Sequence, residues 1–356
     1  MSESPYKSCN LCPHSCGVDR LSGETGRCGE TAQLRICVTV LHNGEEPPLT
    51  GDNGSGTIFV SGCNLGCIFC QNHQISQGVG SGEWGVGRST HSARVPIVDP
   101  HSLLPTPHSP HNTLGRVVST EEFVEICKKL RDKGAENINI VTGSHVIPAI
   151  VEGITAAKNA GVQLPLLWNT SAYENPQALE LLKDHVDIYL PDLKTLDREI
   201  AGNFYGASDY PQIAAAAILK MVDMVNQKSD FIEMANYEME RNERVIIRHL
   251  ILPGYLESTR SVLCWFAENL QGRAKLSLMT QYTPIPGRPG MLALRKMPGR
   301  FLHESEYETV MLWLQEFGIN DGYCQELVTG SDWLPDFKRQ NPFSSKLSVP
   351  VWHFMT

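Results

Sequence analysis

No run of 18 apolar residues occurs in the chain, so no membrane-spanning helix is expected. The opening stretch, "MSESPYKSCNLC", lacks the apolar core of a secretory signal. Positive charge is scarce as well. Thirty Lys and Arg against 39 Asp and Glu give a formal net charge of −9, which argues against a nucleic-acid-binding surface. Together these absences leave a cytoplasmic globular protein, with neither a membrane nor a nucleic acid as partner. Hydrophobic residues make up 41% of the 356, enough to bury a sizeable core in one large domain with attachments.

Cysteine is plentiful. Eleven cysteines without a secretory signal point to metal or thiol chemistry in a reducing compartment rather than to disulfides. Cys9, Cys12, Cys16 and Cys28 form C-x2-C-x3-C-x11-C, and Cys63, Cys67 and Cys70 form C-x3-C-x2-C. Cys127 and Cys264 lie in apolar helical patterns and read as small core residues. The first set is complete at four thiols, as a closed structural site requires. Zinc, an auxiliary iron–sulfur cluster and no metal all remain open there, because both metals accept thiolates. Zinc would clip together a segment poor in core residues, and a cluster would make it an electron relay.

Residues 1–50 are cysteine-rich and aperiodic, an extension ahead of the main domain. "GTIFVSG" (56–62) is a short β run leading directly into the three-cysteine stretch. Residues 77–118 are full of Gly, Pro, Ser and His and read as a loop insertion; His91, His101, His108 and His111 are spaced too irregularly for a metal site. Beyond it, apolar runs alternate with helical patterns. Ser119 to Glu122 reads as a capping box, and 137–142, 164–171, 186–194, 244–254 and 275–282 read as strands. Helices are expected near 119–134, 146–161, 257–270 and 304–317, with Asn175-Pro176 opening another. Residues 201–243 read as a second, helical insertion on the outer face, and 326–356 as a C-terminal tail. Six strands mostly followed by helices specify an α/β fold with parallel strands: a partial (β/α)6 TIM-like barrel or an open doubly wound sheet over 51–325.

The cysteine loop follows the first strand, at the end where parallel α/β folds place their chemistry. A cubane cluster usually takes four thiolates. Three leave one iron with an exchangeable position, where a small molecule binds and accepts an electron. The competing reading is a structural zinc held by Cys63, Cys67, Cys70 and His73.

C-x3-C-x2-C with Phe69 before its last cysteine resembles the radical S-adenosylmethionine (SAM) superfamily. "CQNHQIS", "WNTSAYE", "VDIYLPDLK", "IRHLILPG" and "MTQY", with "CNLCPHSCGVDRLSGETGRCG", are similar to a group of iron–sulfur proteins in its pyruvate formate-lyase activating enzyme branch. The resemblance implies a partial (β/α)6 barrel whose Cys63, Cys67 and Cys70 hold a 4Fe–4S cluster and are catalytic. It implies reductive cleavage of SAM to a 5′-deoxyadenosyl radical, with an electron donor such as flavodoxin or ferredoxin. A glycyl radical enzyme as partner, activated by abstraction of a glycine hydrogen, is the implied target; another peptide or small molecule is the alternative. A non-catalytic electron carrier or zinc-binding module is the reading from outside enzymology. For SAM binding the resemblance implies the backbone at Phe69, then Asn169 and Ser171, Asp192 and Lys194 of "DLK", Arg248 beside His249, and Gln281. Relatives carry a "GGE" turn after the second strand, where this chain reads "VTGSHV". Gly143 can give the close backbone approach there, with Ser144 or His145 in place of the missing carboxylate.

Overall fold

The computed structural model describes residues 4–76, 114–234, 237–285 and 299–356. Most of the histidine-rich segment, including His91, His101, His108 and His111, lies outside the described residues. The strands in chain order are β1 (Arg35–His42), β2 (Ser55–Val60), β3 (Arg116–Val117), β4 (Ile138–Val141), β5 (Leu166–Thr170) and β6 (Ile188–Pro191). There follow β7 (Phe231–Met234), β8 (Tyr237–Glu240), β9 (Ile246–Leu250), β10 (Lys275–Met279), β11 (Gly322–Cys324) and β12 (Ser348–His353).

β2, β4, β5 and β6 are parallel neighbours in that order, and β9, β10 and β11 form a second parallel run. Bridges Tyr189–Val245 and Asp192–Arg248 join β6 to β9. Seven parallel strands therefore succeed one another in space as in sequence: the six expected of the alternating pattern make the partial barrel, and β11 adds a seventh beside β10. The crossover helices Thr120–Asp132, Ile147–Asn159, Tyr210–Asn226 and Leu256–Asn269 are each buried along one face.

Period two sorts the strand residues. Ile138, Ile140, Leu166, Trp168 and Tyr189 join the main core with the helices, whereas Leu167, Ile188, Leu190 and Ile246 form a separate cluster with Leu49 and Met239. Strands buried on both faces read as continuous apolar runs, which is why these were easy to find.

Four local expectations need revision. Ser119 caps its helix by accepting from the Glu122 N–H at 3.2 Å, but the return half of the box is missing because Glu122 engages Arg116 instead. Residues 201–243 are not an appended insertion. They hold a π-helical turn (Ala201–Tyr205), the β6-to-β9 crossover helix Tyr210–Asn226 and the β7–β8 hairpin. The helix is rich in Met and Ala because Ala214, Ala217, Ile218, Met221 and Met224 are all buried. The cysteine-rich extension ends before residue 35, since β1 runs antiparallel to β2 within the main sheet. Residues 326–356 are also more than a tail: β12 pairs antiparallel with the other edge of β1 and covers it.

Trp352 of β12 is 6% exposed, and the Arg116 guanidinium lies 4.9 Å from its ring centroid. Trp352→Ala should therefore cost about 3 kcal/mol of stability, measured by urea unfolding, and should expose the β1 edge. A loss below about 0.5 kcal/mol would mean that β12 does not close the sheet.

Candidate functional site

The inside of the barrel holds a cavity of about 510 Å³. Cys63, Cys67, Cys70 and Phe69 line one wall, delivered by the loop that leaves the C-terminal end of β2. That loop is held by its backbone. Gly66 N–H donates to Tyr205 O and Ile68 N–H to Phe204 O, each at 2.9 Å, so the π-helical turn fixes it from outside. Cys70 N–H donates to Cys67 O at 3.2 Å, and the Asn64 side-chain amide donates to Tyr173 O at 2.6 Å. Phe69 sits in an aromatic nest, its ring 5.6 Å from those of Tyr205 and Tyr282.

None of the three cysteines is in a disulfide. Burial, aided by the neighbouring Cys70, pushes the Cys63 thiol up to about 12, and burial pushes Cys67 up as well. Free thiolates are disfavoured there, and a bound cation would be needed to deprotonate them. Among the described residues, no three His, Cys, Asp or Glu side chains converge on one point able to hold a metal ion. The same holds for Cys9, Cys12, Cys16 and Cys28, so this does not choose between a single ion and a cluster at either set of thiols.

The strand ends supply the polar wall. Asn169, Ser171, Asp192 and Lys194 all line the cavity. The Ser171 hydroxyl is buried without a hydrogen-bond partner among the described residues, as expected of a group whose partner is a ligand. Lys194 Nζ donates to Asp192 Oδ2 at 2.6 Å. Burial opposes the charged amine, but Asp192 and Cys67 more than offset it and hold Lys194 well above its ordinary range. Tyr210, which opens the helix after the π turn, clamps this corner. Its hydroxyl donates to Asp192 O at 2.6 Å and accepts from Lys194 N–H at 3.0 Å.

Gln281 lines the cavity, with its side-chain oxygen accepting from Gln325 at 3.0 Å. Arg248 also lines it, but its guanidinium is already engaged. Nε donates to Glu46 Oε1 at 2.9 Å, and Nη2 reaches both Glu45 and Glu46. His249 points the other way along the strand, with Nδ1 on Leu193 O and Nε2 on Thr259 Oγ1. Burial lowers its pKa to about 4, which keeps it neutral.

The "VTGSHV" corner differs most from expectation. Gly143 does not line the cavity: a Cβ there would lie 2.5 Å from the Trp168 ring and 2.7 Å from Ile150, so it faces the core. Thr142 lines the cavity in its place and holds a left-handed φ of 61°. That conformation is costly for a β-branched residue and marks a constrained site. Ser144 is turned away to Glu174, whose Oε1 accepts from Ser144 at 2.6 Å and from Trp168 Nε1 at 2.9 Å. His145 is buried against Ser61 O, its pKa lowered to about 3 by burial and then by Arg20.

The other four cysteines lie behind the loop. Cys9, Cys12 and Cys28 are buried and Cys16 is exposed. Burial raises Cys12 to about 12, with Cys28, Cys16 and Cys9 adding to the shift, so the four share one neighbourhood. Gly62, directly before Cys63, has a φ of 86°, and a Cβ on it would fall 3.1 Å from Cys28 O. The segment thus packs against the root of the cysteine loop, and its own Arg20 is buried and donates to Glu30 O at 3.1 Å. The sequence reading missed Glu45, Glu46, Thr142, Tyr205 and Tyr210; of these, only the Tyr pair beside "DLK" and the π turn has an aromatic spacing that could have suggested a role.

A family model described as the Radical SAM superfamily matches residues 57–261, more than half of the chain. The uncharacterized protein MJ0674 of Methanocaldococcus jannaschii is 28% identical over 285 residues, covering 80% of this chain and 68% of that protein. Streptococcus suis SuiB bound to precursor peptide SuiA superposes with a TM-score of 0.43 at 12% identity, over 74% of this chain and 46% of SuiB. This chain therefore spans less than half the length of SuiB. A domain of pyruvate-formate lyase-activating enzyme from Bacteroides vulgatus gives a TM-score of 0.33 at 10% identity, over 50% of this chain and 89% of that one. QueE from Escherichia coli gives 0.32 at 13% identity, over 73% and 98%. Among the described residues, no helix is long and apolar enough to cross a membrane.

Gly143→Ala should destabilise the fold by about 1–3 kcal/mol in urea unfolding, because its Cβ meets Trp168, Ile150 and Ile140. Unchanged stability with weakened SAM affinity would instead place this glycine against the cofactor.

Proposed function

The chain belongs to the radical SAM superfamily, and we propose that it reductively cleaves SAM and uses the resulting radical to abstract a hydrogen atom from a substrate inside the barrel. The superfamily's cofactors are a 4Fe–4S cluster and SAM, and its enzymes need a reductant. When bound here, they would supply one-electron cleavage of a C–S bond of SAM, with the electron from a low-potential donor such as flavodoxin or ferredoxin; methionine would be released, and the 5′-deoxyadenosyl radical would take a hydrogen atom from the substrate to leave 5′-deoxyadenosine and a substrate radical. The observation that carries this reading is three cysteines outside any disulfide lining the barrel cavity together with a buried Ser171 hydroxyl that has no hydrogen-bond partner among the described residues.

The chain's own residues hold and exclude. Cys63, Cys67 and Cys70 would bind three irons and leave the fourth to SAM. The Phe69 nest keeps water from that wall. Ser171 and Asn169 face the cavity as hydrogen-bonding groups, and the Asp192–Lys194 pair brings both signs of charge to one corner. Cys9, Cys12, Cys16 and Cys28 would hold zinc or an auxiliary cluster behind the loop.

For the hydrogen donor, we take a glycine Cα–H of a glycyl radical enzyme as the first reading. Its support is the run of motifs from "CQNHQIS" to "MTQY", and its product is favourable because a glycyl radical is delocalised. A different substrate is the second reading, favoured by the charged groups deep in the cavity.

Anaerobic protein with dithionite and SAM should release 5′-deoxyadenosine, and Cys67→Ala should lower that release at least a hundredfold. Release unchanged in Cys67→Ala would remove the cysteine trio from the reaction. A doublet organic radical in electron paramagnetic resonance, seen only when a candidate glycyl radical enzyme is added, would establish the first donor; its absence across such partners would favour the second.

A further inference from the structure

The cavity has a second chemical end. The connection between β1 and β2 carries "HNGEE" (42–46), and His42 pairs with Ser55 at the start of β2, whereas the cysteine loop leaves the far end of that strand. His42, Glu45 and Glu46 line the cavity from there, and Arg248 meets them. Side chains of Arg248, Glu45 and Glu46 are only 8%, 9% and 6% exposed, so this is a buried cluster of two carboxylates and one guanidinium.

The three charges are unevenly matched. Glu46 takes the fork of Arg248, with one oxygen on Nε at 2.9 Å and the other on Nη2. Glu45 has only a share of Nη2, supplemented by the Asn139 amide, which donates to Glu45 Oε1 at 2.9 Å. The carbonyl oxygen of that same amide is buried without a hydrogen-bond partner among the described residues. Among the described residues, nearby cations do not fill the gap. Lys194 is paired with Asp192, and His42 is kept neutral by burial, which lowers its pKa against the pull of Glu45. A buried cluster with one carboxylate in excess is costly unless something positive completes it. A cation with N–H groups in the cavity would supply the missing charge.

We propose that this end of the cavity binds a protonated amine or guanidinium group of the hydrogen donor, with Glu45 as its main carboxylate partner. The proposal rests on the hydrogen-abstraction reading above and extends it from the reaction to the substrate. Glu45 and Glu46 precede residue 57, where the family match begins, and Arg248 lies within it. Trp333 packs on Gly44 beside them, where a Cβ would lie 2.6 Å from its ring, and the Phe343 ring stands 4.8 Å from that of His42. Aromatic groups thus wall the same end, as suits the alkyl stem of an amine or guanidine.

The test is isothermal titration calorimetry of the full chain holding its cluster, under anaerobic conditions, with n-butylammonium, n-butylguanidinium, n-butanol and butyrate. The two cations should bind saturably and the neutral and anionic probes should not. Glu45→Gln should weaken cation binding roughly tenfold or more. The comparison of probes on the unaltered chain decides the matter even if Glu45→Gln fails to fold. Equal binding of n-butanol, affinity unchanged in a folded Glu45→Gln, or displacement of n-butylammonium by SAM would each overturn the proposal, the last by assigning the carboxylates to the cofactor. The tripeptide acetyl-Gly-Lys-Gly-amide separates the sources: tighter binding than n-butylammonium marks a peptide side chain, and weaker binding a free amine. Release of 5′-deoxyadenosine without substrate is scored separately, so a chain that cleaves SAM but ignores cations refutes only this proposal.

Discussion

Two backbone hydrogen bonds, Gly66 N–H to Tyr205 O and Ile68 N–H to Phe204 O, decide where the three thiols stand. A loop with two glycines and no regular structure of its own has no intrinsic reason to present Cys63, Cys67 and Cys70 on one wall. The π-helical turn supplies that reason, and Gly206, in the left-handed region at 73°, ends it. From the same turn the chain enters the helix Tyr210–Asn226, whose first hydroxyl ties the Asp192–Lys194 corner to the barrel. The cysteine wall and the charged corner are thus fixed by one segment, 201–210. Changes to Tyr205 or Tyr210 would reach both.

The cavity is polar at both ends and constrained around its rim. Thiols, a serine hydroxyl without a partner among the described residues and an ion pair stand where the parallel strands end. Two carboxylates and an arginine close the other end. At the strand-end side, Thr142 directly after β4 and Ala172 two residues past the end of β5 both hold left-handed backbone near 60°. Strain of this kind persists only where the surroundings over-determine it. Here Thr142 N–H donates to Asn169 O at 2.9 Å, and Ala172 N–H donates to Thr170 Oγ1 at 3.1 Å. The strained corners therefore belong to the framework that aims Asn169 and Ser171 inward.

The parallel strands and their crossovers were legible because strands buried on both faces leave unbroken apolar runs. The cysteine loop was legible because ligand spacing is local. What depends on long-range pairing was not. Glu45 and Glu46 look like surface residues in "HNGEEPP" and are buried only because Arg248, some 200 positions on, comes to meet them (|i−j| of 203 and 202). Gly143 suggested a backbone approach to a ligand, yet the space its missing Cβ leaves is filled by Trp168, a contact with no trace in local sequence. β12 escaped notice because Pro350 interrupts a short strand; at the sheet edge, where no donor is required of it, that proline is tolerated. Residues 201–243 were misplaced because the crossover helix there builds much of its buried face from Ala and Met, a weaker apolar signal than a run of Leu and Ile.

The central claim is that Cys63, Cys67 and Cys70 hold a cluster with one iron open to SAM. Electron paramagnetic resonance of the full chain, reduced with dithionite and recorded before and after SAM is added, tests it most directly. The account predicts the signal of a reduced 4Fe–4S cluster whose line shape changes when SAM binds, in protein where the N-terminal cysteines have been replaced. A signal indifferent to SAM, or a redox-silent single ion held by the trio, would contradict it.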